Sequence, residues 1–294
     1  MKTLTLLFLA ICGVTVSLQA QKSKPTTLTY AIKDSDTLWM HHYEPEGESN
    51  GSSVMFIHGG GFTGGDPKHQ YPFAEGLQDR GYRVFVISYR LYLKGKSFGC
   101  HTETPEKIKA IYTAVEDAAD AARYIYDHAK ELEVNTDKFF IAGSSAGAET
   151  VLQFIFNPFV HKDPERFSFF EKFRFAGAMI FAGAHVDLNY ITAENWMPLL
   201  LFHGTNDQLV PYGTAAHHYC KAYNKGWLML FGSEPIYQKG LKLNKPVALH
   251  AYEGRGHEVA NFMFREFETM DNFMKSALDS SKNLLKKVVI PKLQ

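Results

Sequence analysis

The run Gly143-Ser144-Ser145-Ala146-Gly147 follows the apolar tetrapeptide Phe139-Phe140-Ile141-Ala142. Nothing else in the chain constrains the backbone as tightly. Four apolar residues without a polar interruption read as a strand buried on both faces. Small residues at five successive positions permit a sharp turn, and Ala146 to Phe156 reads as a helix leaving it. A serine hydroxyl is a poor nucleophile at neutral pH, so it needs an adjacent base and N–H donors. The turn holds such a hydroxyl exposed only if no bulky side chain crowds it. Gly143 and Gly147 leave that room, with Ser145 at the apex. Alone, the pentapeptide also fits a small-residue turn with a buried hydroxyl.

Three further segments favour the chemical reading. His58-Gly59-Gly60-Gly61 follows the apolar strand Val54-Met55-Phe56-Ile57. A glycine run there brings backbone N–H groups close to a developing oxyanion, with no Cβ in the way. Asp207 follows the strand Leu199-Leu200-Leu201-Phe202 and the turn His203-Gly204-Thr205-Asn206, where a carboxylate can orient a histidine. His257, in Glu253-Gly254-Arg255-Gly256-His257-Glu258, follows the last apolar strand, Val247 to Tyr252. It can take a serine proton and return it to a leaving group. Asp187, in Gly183-Ala184-His185-Val186-Asp187, also follows a buried strand and is a rival to Asp207. His58 is read as a brace for its own loop. Asp66 and Glu149 fall near the expected pocket without an assigned role.

The order Ser, Asp, His along the chain, together with His58-Gly59-Gly60-Gly61-Phe62, Asn206-Asp207-Gln208-Leu209-Val210-Pro211 and Gly256-His257-Glu258, resembles the α/β-hydrolase esterases with an HGGG oxyanion loop. The chain is similar to the secreted carboxylesterase and lipase-like members found in polysaccharide-degrading bacteria. The resemblance covers about residues 28 to 280. It implies Ser145 as nucleophile, His257 as base and Asp207 as orienting acid. It implies an oxyanion hole made by the N–H groups of Gly60, Gly61 and Ala146. The implied reaction is acyl transfer to serine and then to water, with no metal or organic cofactor. The preferred context Asp-x-x-Val-Pro also favours Asp207 over Asp187. The implied substrates are short or medium acyl esters, small or carbohydrate-linked, including acetyl and feruloyl esters of polysaccharide. Two alternatives stand beside this. Serine peptidases of the prolyl-oligopeptidase type share fold and triad, but carry a large N-terminal domain and an aromatic residue after the nucleophile, where this chain has Ala146. A catalytically silent binding protein would normally lack a triad residue.

The strands named above alternate with helical patterns. The clearest helix opens at Pro105 and runs to about Leu132, with Ile108, Ile111, Tyr112, Val115, Ala118, Ala119, Ala122, Ile125 and Tyr126 as its apolar stripe. Others are expected over Phe73–Asp79, over Glu234–Leu243 with Ser233 as cap, and over Val259–Leu278. Leu28–Lys33 and Thr37–Tyr43 read as a hairpin. Continuous apolar strands between helices predict a mostly parallel sheet covered on both faces, with this hairpin as an antiparallel edge. Residues 157–173, aromatic and charged, form either a cap over an acyl pocket or a short packing excursion. The segment from Gly213 to Gly226 is helical or irregular, and the basic tail from Lys282 is peripheral.

The 294 residues suit one catalytic domain, residues 21–294, behind a leader over residues 1–20. Lys2, the apolar run Leu4 to Val16 and a closing Ala20 fit a signal peptide better than a membrane span. The expected location is secreted or periplasmic. Leu9-Ala10-Ile11-Cys12 matches a lipoprotein box poorly. Lys plus Arg and Asp plus Glu both number 31, so nothing points to a nucleic-acid surface. Of three cysteines, Cys100 and Cys220 fall in loops expected on one face; they pair, or stay as two thiols.

Overall fold

A computed structural model describes residues 24–157, 168–171, 173–279 and 284–291. The expected leader lies outside the described residues. So do residues 158–167 of the aromatic insertion. Among the described residues no helix is long and apolar enough to cross a membrane.

The chain opens with the hairpin β1 (Thr26–Lys33) and β2 (Asp36–Tyr43). Its tight turn places Asp34 at a φ of 52°, which Asp tolerates better than most residues. Then follow β3 (Ser53–Ile57), α1 (Tyr71–Gln78), β4 (Arg83–Ile87), α2 (Thr104–Asp127), β5 (Phe139–Ser144) and α3 (Ala146–Phe156). The second half holds β6 (Gly177–Phe181), β7 (Leu199–Gly204), the short β8 (Thr214–Ala216) and β9 (Met229–Phe231), α4 (Ser233–Lys242), β10 (Val247–Tyr252), α5 (Phe267–Ala277) and β11 (Lys286–Ile290). The main sheet runs β1-β2-β4-β3-β5-β6-β7-β10-β11. Only the pairs β1/β2 and β2/β4 are antiparallel.

The strands separate two cores by simple alternation. Met55 and Ile57 of β3, Ile141 of β5 and Leu201 of β7 join one cluster with residues of α2, α3 and α4. Val54, Phe56, Ala142 and Phe202 join the other, with residues of α1 and α5. A sheet covered on both faces therefore has apolar residues at every position of its central strands, as read from the sequence.

The order also fixes where a site can form. From β3 the chain moves to β4 on one side, then crosses to β5 on the other. Connections that part from adjacent strands leave a crevice at their carboxy ends. The glycine run follows β3 and Ser145 follows β5, so both face that crevice.

Several elements differ from expectation. The helix from Pro105 ends at Asp127, where the Tyr124 carbonyl oxygen meets both the His128 backbone N–H and, at 2.8 Å, its ring Nδ1. The segment expected as one helix from Val259 is a 3-10 stretch over His257–Phe264 and, after a break at Arg265 and Glu266, α5. Ser233 does not cap α4; Gly232 is the cap position and the Ser233 hydroxyl pairs with His203. The basic tail is not peripheral: Lys286–Ile290 adds a parallel edge strand beside β10. Two lysines followed by Val288, Val289 and Ile290 suit an edge strand, which a charge count reads as tail. In the aromatic insertion, Phe169 and Phe173 pack against Tyr126, and Phe173 also against Phe139. Phe139 is the first residue of β5, at the end of the sheet away from Ser145. This part of the insertion is packing.

Candidate active site

Ser145 has φ 52° and ψ −121°, a strained conformation for a residue with a Cβ. Two hydrogen bonds hold it. Its N–H donates to Phe181 O at 2.8 Å, and its carbonyl accepts from Glu149 N at 2.9 Å in the first turn of α3. Both flanking glycines are required by close approach. A Cβ at Gly147 would lie 2.1 Å from Ile57 O, and one at Gly143 would lie 2.4 Å from Gly147 O. The start of α3 is thus seated on the end of β3.

The structure brings the three expected polar residues into one hydrogen-bonded chain. Ser145 Oγ lies 2.7 Å from His257 Nε2, and His257 Nδ1 lies 2.7 Å from Asp207 Oδ2. With the proton on Nδ1, shared with the carboxylate, Nε2 is free to accept from the serine hydroxyl. Asp207 is wholly buried, and its Oδ1 accepts from Leu209 N at 2.9 Å and Val210 N at 3.0 Å. Burial opposes its ionisation, but hydrogen bonds and charge from His203 and His257 outweigh that and hold its carboxyl well below the usual range. It is a fixed negative charge behind the imidazole.

Both loops are locked to each other and to the serine. Asn206 N donates to Arg255 O at 2.9 Å, and a Cβ on Gly204 would lie 2.4 Å from the carbonyls of Arg255 and Gly256. Ser144 Oγ donates to Ala260 O at 2.8 Å, which ties β5 to the segment carrying His257. His203, also buried, bonds Ser233 Oγ at 2.8 Å and Val210 O at 3.0 Å.

Gly60, Gly61 and Ala146 line the same cleft as Ser145 and His257, about 700 Å³ in volume. Gly60 has φ 122°, and its carbonyl closes the turn by accepting from Thr63 N and Gly64 N, each at 3.1 Å. A Cβ there would lie 2.1 Å from Gly64 O. Ala146 is the first residue of α3, so its N–H has no acceptor within the helix.

The other singled-out residues lie apart from this chain. His58 is buried, with its Nδ1 2.7 Å from Gly59 O and its ring stacked on Tyr89. Burial pushes its imidazole down despite the carbonyl contact. It braces the glycine turn. Asp187 Oδ1 accepts from Asn189 N and Nδ2 in a turn of its own, and Asp66 Oδ1 accepts from Lys68 N at 2.9 Å. Cys100 and Cys220 are joined as a disulfide.

The sequence placed Glu149 near the pocket without a role and did not single out His217, its neighbour in the cleft. Glu149 and His217 line it, both buried, with Glu149 Oε1 3.4 Å from His217 Nε2. Burial raises the Glu149 carboxyl to about 8, more than the Lys107 charge offsets. His218 adds a second imidazole, lowered to about 4 first by burial and then by Lys107. Glu149 falls one helical turn after Ser145, which spacing could have suggested. His217 is brought in from 68 positions further on by the β8 segment, and no local signal marks it. Among the described residues no group of three or more His, Cys, Asp and Glu is placed to hold a metal ion.

Esterase 2 of Thermogutta terrifontis, in its tabun-phosphoramylated form, superposes with a TM-score of 0.61 over 87% of this chain and 95% of that one, at 20% identity. The chain has the α/β-hydrolase fold. The butyrate-bound form of the same hydrolase-fold protein gives a TM-score of 0.62, covering 86% of this chain and 94% of that one, also at 20% identity. The BD-FAE family model matches residues 40–154, the stretch from β2 to α3 that carries both the glycine run and Ser145. An ethyl acetate hydrolase of Pseudomonas putida is 26% identical over 124 residues, 41% of this chain. The aligned stretch is 35% of that relative's own length.

Proposed function

We propose that this chain is a secreted or periplasmic serine hydrolase of carboxylic esters that works through an acyl-serine intermediate on Ser145. The observation that carries the reading is the continuous hydrogen-bonded chain from Ser145 through His257 to Asp207 beside an open cleft. Ser145 Oγ attacks the ester carbonyl as its proton passes to His257 Nε2. Asp207 stabilises the imidazolium without taking the proton. The carbonyl oxygen becomes an oxyanion and accepts from the N–H groups of Ala146, Gly60 and Gly61. The tetrahedral adduct collapses, the C–O bond to the alcohol breaks, and His257 gives its proton to that oxygen. Water then attacks the acyl-serine, losing a proton to His257. The second collapse releases the acid and returns the proton to Ser145.

The names of the matched proteins support an ester substrate. The Pseudomonas relative is called an ethyl acetate hydrolase, and the Thermogutta esterase is described bound to propionate and to butyrate. These favour short acyl groups. The resemblance to secreted esterases extends the class to acetyl and feruloyl esters of polysaccharide. Export is supported by the apolar leader sequence and by the Cys100–Cys220 bond, since such bonds persist in oxidising compartments.

The test is hydrolysis of acetyl, butyryl, octanoyl and feruloyl chromogenic esters and a proline anilide, with Ser145→Ala beside the parent. Loss of Ser145 should lower ester turnover by on the order of 10⁴-fold or more, because triad members act as a unit. Turnover that survives the substitution, or is confined to the anilide, contradicts the reading.

A further inference from the structure

The cleft contains more polar chemistry than ester hydrolysis needs. Glu149 Oε1 and His217 Nδ1 are buried atoms without a hydrogen-bond partner among the described residues. Their side chains are only 3% and 2% exposed, and both line the cleft. The one approach between them, 3.4 Å from Oε1 to Nε2, is too long to count as a good hydrogen bond. Buried polar atoms are nearly always paired, and leaving one unpaired costs about 1–3 kcal/mol. Neither residue belongs to the chain from Ser145 to Asp207.

The surroundings say what kind of partner fits. Burial keeps the carboxyl in its neutral acid form and keeps both His217 and His218 neutral. The Lys107 amine, whose charge acts on both groups, already donates to Gly226 O at 2.8 Å. A neutral acid and a neutral imidazole together carry two donors and at least two acceptors with no net charge. That complements a neutral group that both donates and accepts. A carboxylate or ammonium would enter without a counter-charge.

We propose that Glu149 and His217 form a subsite for a hydroxyl group of the substrate, so that the enzyme selects hydroxyl-bearing esters, such as partly acylated sugars or polyols, over hydrocarbon esters of equal size. The inference rests on the ester-hydrolase reading above and deepens it. A site built to pair a hydroxyl rejects the analogue lacking it far more strongly than an apolar pocket rejects an added methylene, because its own buried groups stay unpaired. Glu149 and His217 act on specificity; the proton transfers stay with Ser145 and His257.

The experiment compares kcat/KM for isosteric pairs. On the alcohol side the pair is 2-hydroxyethyl acetate and propyl acetate. On the acyl side it is 4-nitrophenyl 3-hydroxypropionate and 4-nitrophenyl butyrate. The parent, Glu149→Gln, Glu149→Leu and His217→Asn are assayed together, so intrinsic ester reactivity cancels in the ratio. The expected result is a hydroxyl-to-hydrocarbon ratio that falls by about tenfold or more in Glu149→Leu in one of the two arms. Glu149→Gln should keep more of the ratio, because an amide still donates and accepts. A purely structural role would lower both members of a pair equally. A ratio in Glu149→Leu equal to the parent's overturns the subsite alone; where Glu149→Leu does not fold, a ratio in the shorter His217→Asn equal to the parent's, with turnover present, does the same. A parent that hydrolyses none of the four esters overturns the ester-hydrolase reading and the subsite with it.

Discussion

At the scale of single residues, Asp207 and Glu149 show how one fold sets two carboxyl groups in opposite states. Asp207 accepts two backbone N–H bonds and one from His257, so its charge is favoured in spite of complete burial. Asp207→Asn would keep acceptors for Leu209 and Val210 but lose that charge and present an N–H to the imidazole. Steady-state ester assays should then show kcat lower by roughly 10³- to 10⁴-fold; a loss below tenfold would contradict the assigned role. Glu149 has no such donors, and burial raises it from 4.5 to about 8. Because the folded value stands above the unfolded one, unfolding releases a proton between them. That part of the stability is present below the unfolded value and is lost as pH climbs through the folded one. Glu149→Gln removes this dependence. Denaturant unfolding at pH 5 and pH 8 should therefore show the variant gaining on the parent at the higher pH, by on the order of a few kcal/mol. Parallel stability curves would contradict it. Ser145, Asp207 and His257 were legible in the sequence because each follows an apolar strand and sits among turn residues. His217 was not, because burial and a through-space neighbour give it its meaning.

Between elements, the decisive contact is that of α3 on β3. Only glycine at 147 lets the helix start within reach of the Ile57 carbonyl. Gly147→Ala should cost more than about 3 kcal/mol, measured as a fall in denaturation midpoint, since backbone would have to move. A midpoint within error of the parent would show that the elements are not packed as described. Regular elements were readable where side-chain period and burial agree, as in β3 through β7. Their ends were harder. The helix over Thr104–Asp127 stops at a side-chain bond from His128 to a carbonyl, not at a glycine. The Val259 segment is a 3-10 stretch whose Ala260 carbonyl accepts from Ser144 Oγ, and the regular helix begins only at Phe267. Lys286–Ile290 reads as a charged tail until the β10 edge gives it a partner.

At the scale of the whole molecule, the fold class was legible because alternation of buried strands and helices leaves few topologies. One long-range tie was not fully so. The disulfide joins positions 120 residues apart, bringing the loop after β4 to the segment that carries His217 and His218. Closing so long a loop should contribute about 2–4 kcal/mol. The double variant Cys100→Ser with Cys220→Ser should melt lower than the parent, and reductant should lower the parent alone. Equal melting of all forms would contradict a stabilising bond. The central claim concerns the chain that the fold assembles from three distant strands, with Ser145 as the group that becomes acylated. Paraoxon tests it most directly, because an activated serine hydroxyl attacks its phosphorus and displaces 4-nitrophenolate. Mass spectrometry of the treated protein and its peptides should show one diethylphosphoryl group on the peptide containing Ser145, with none on Ser145→Ala. Labelling elsewhere with equal speed, or none on the active parent, would contradict the account.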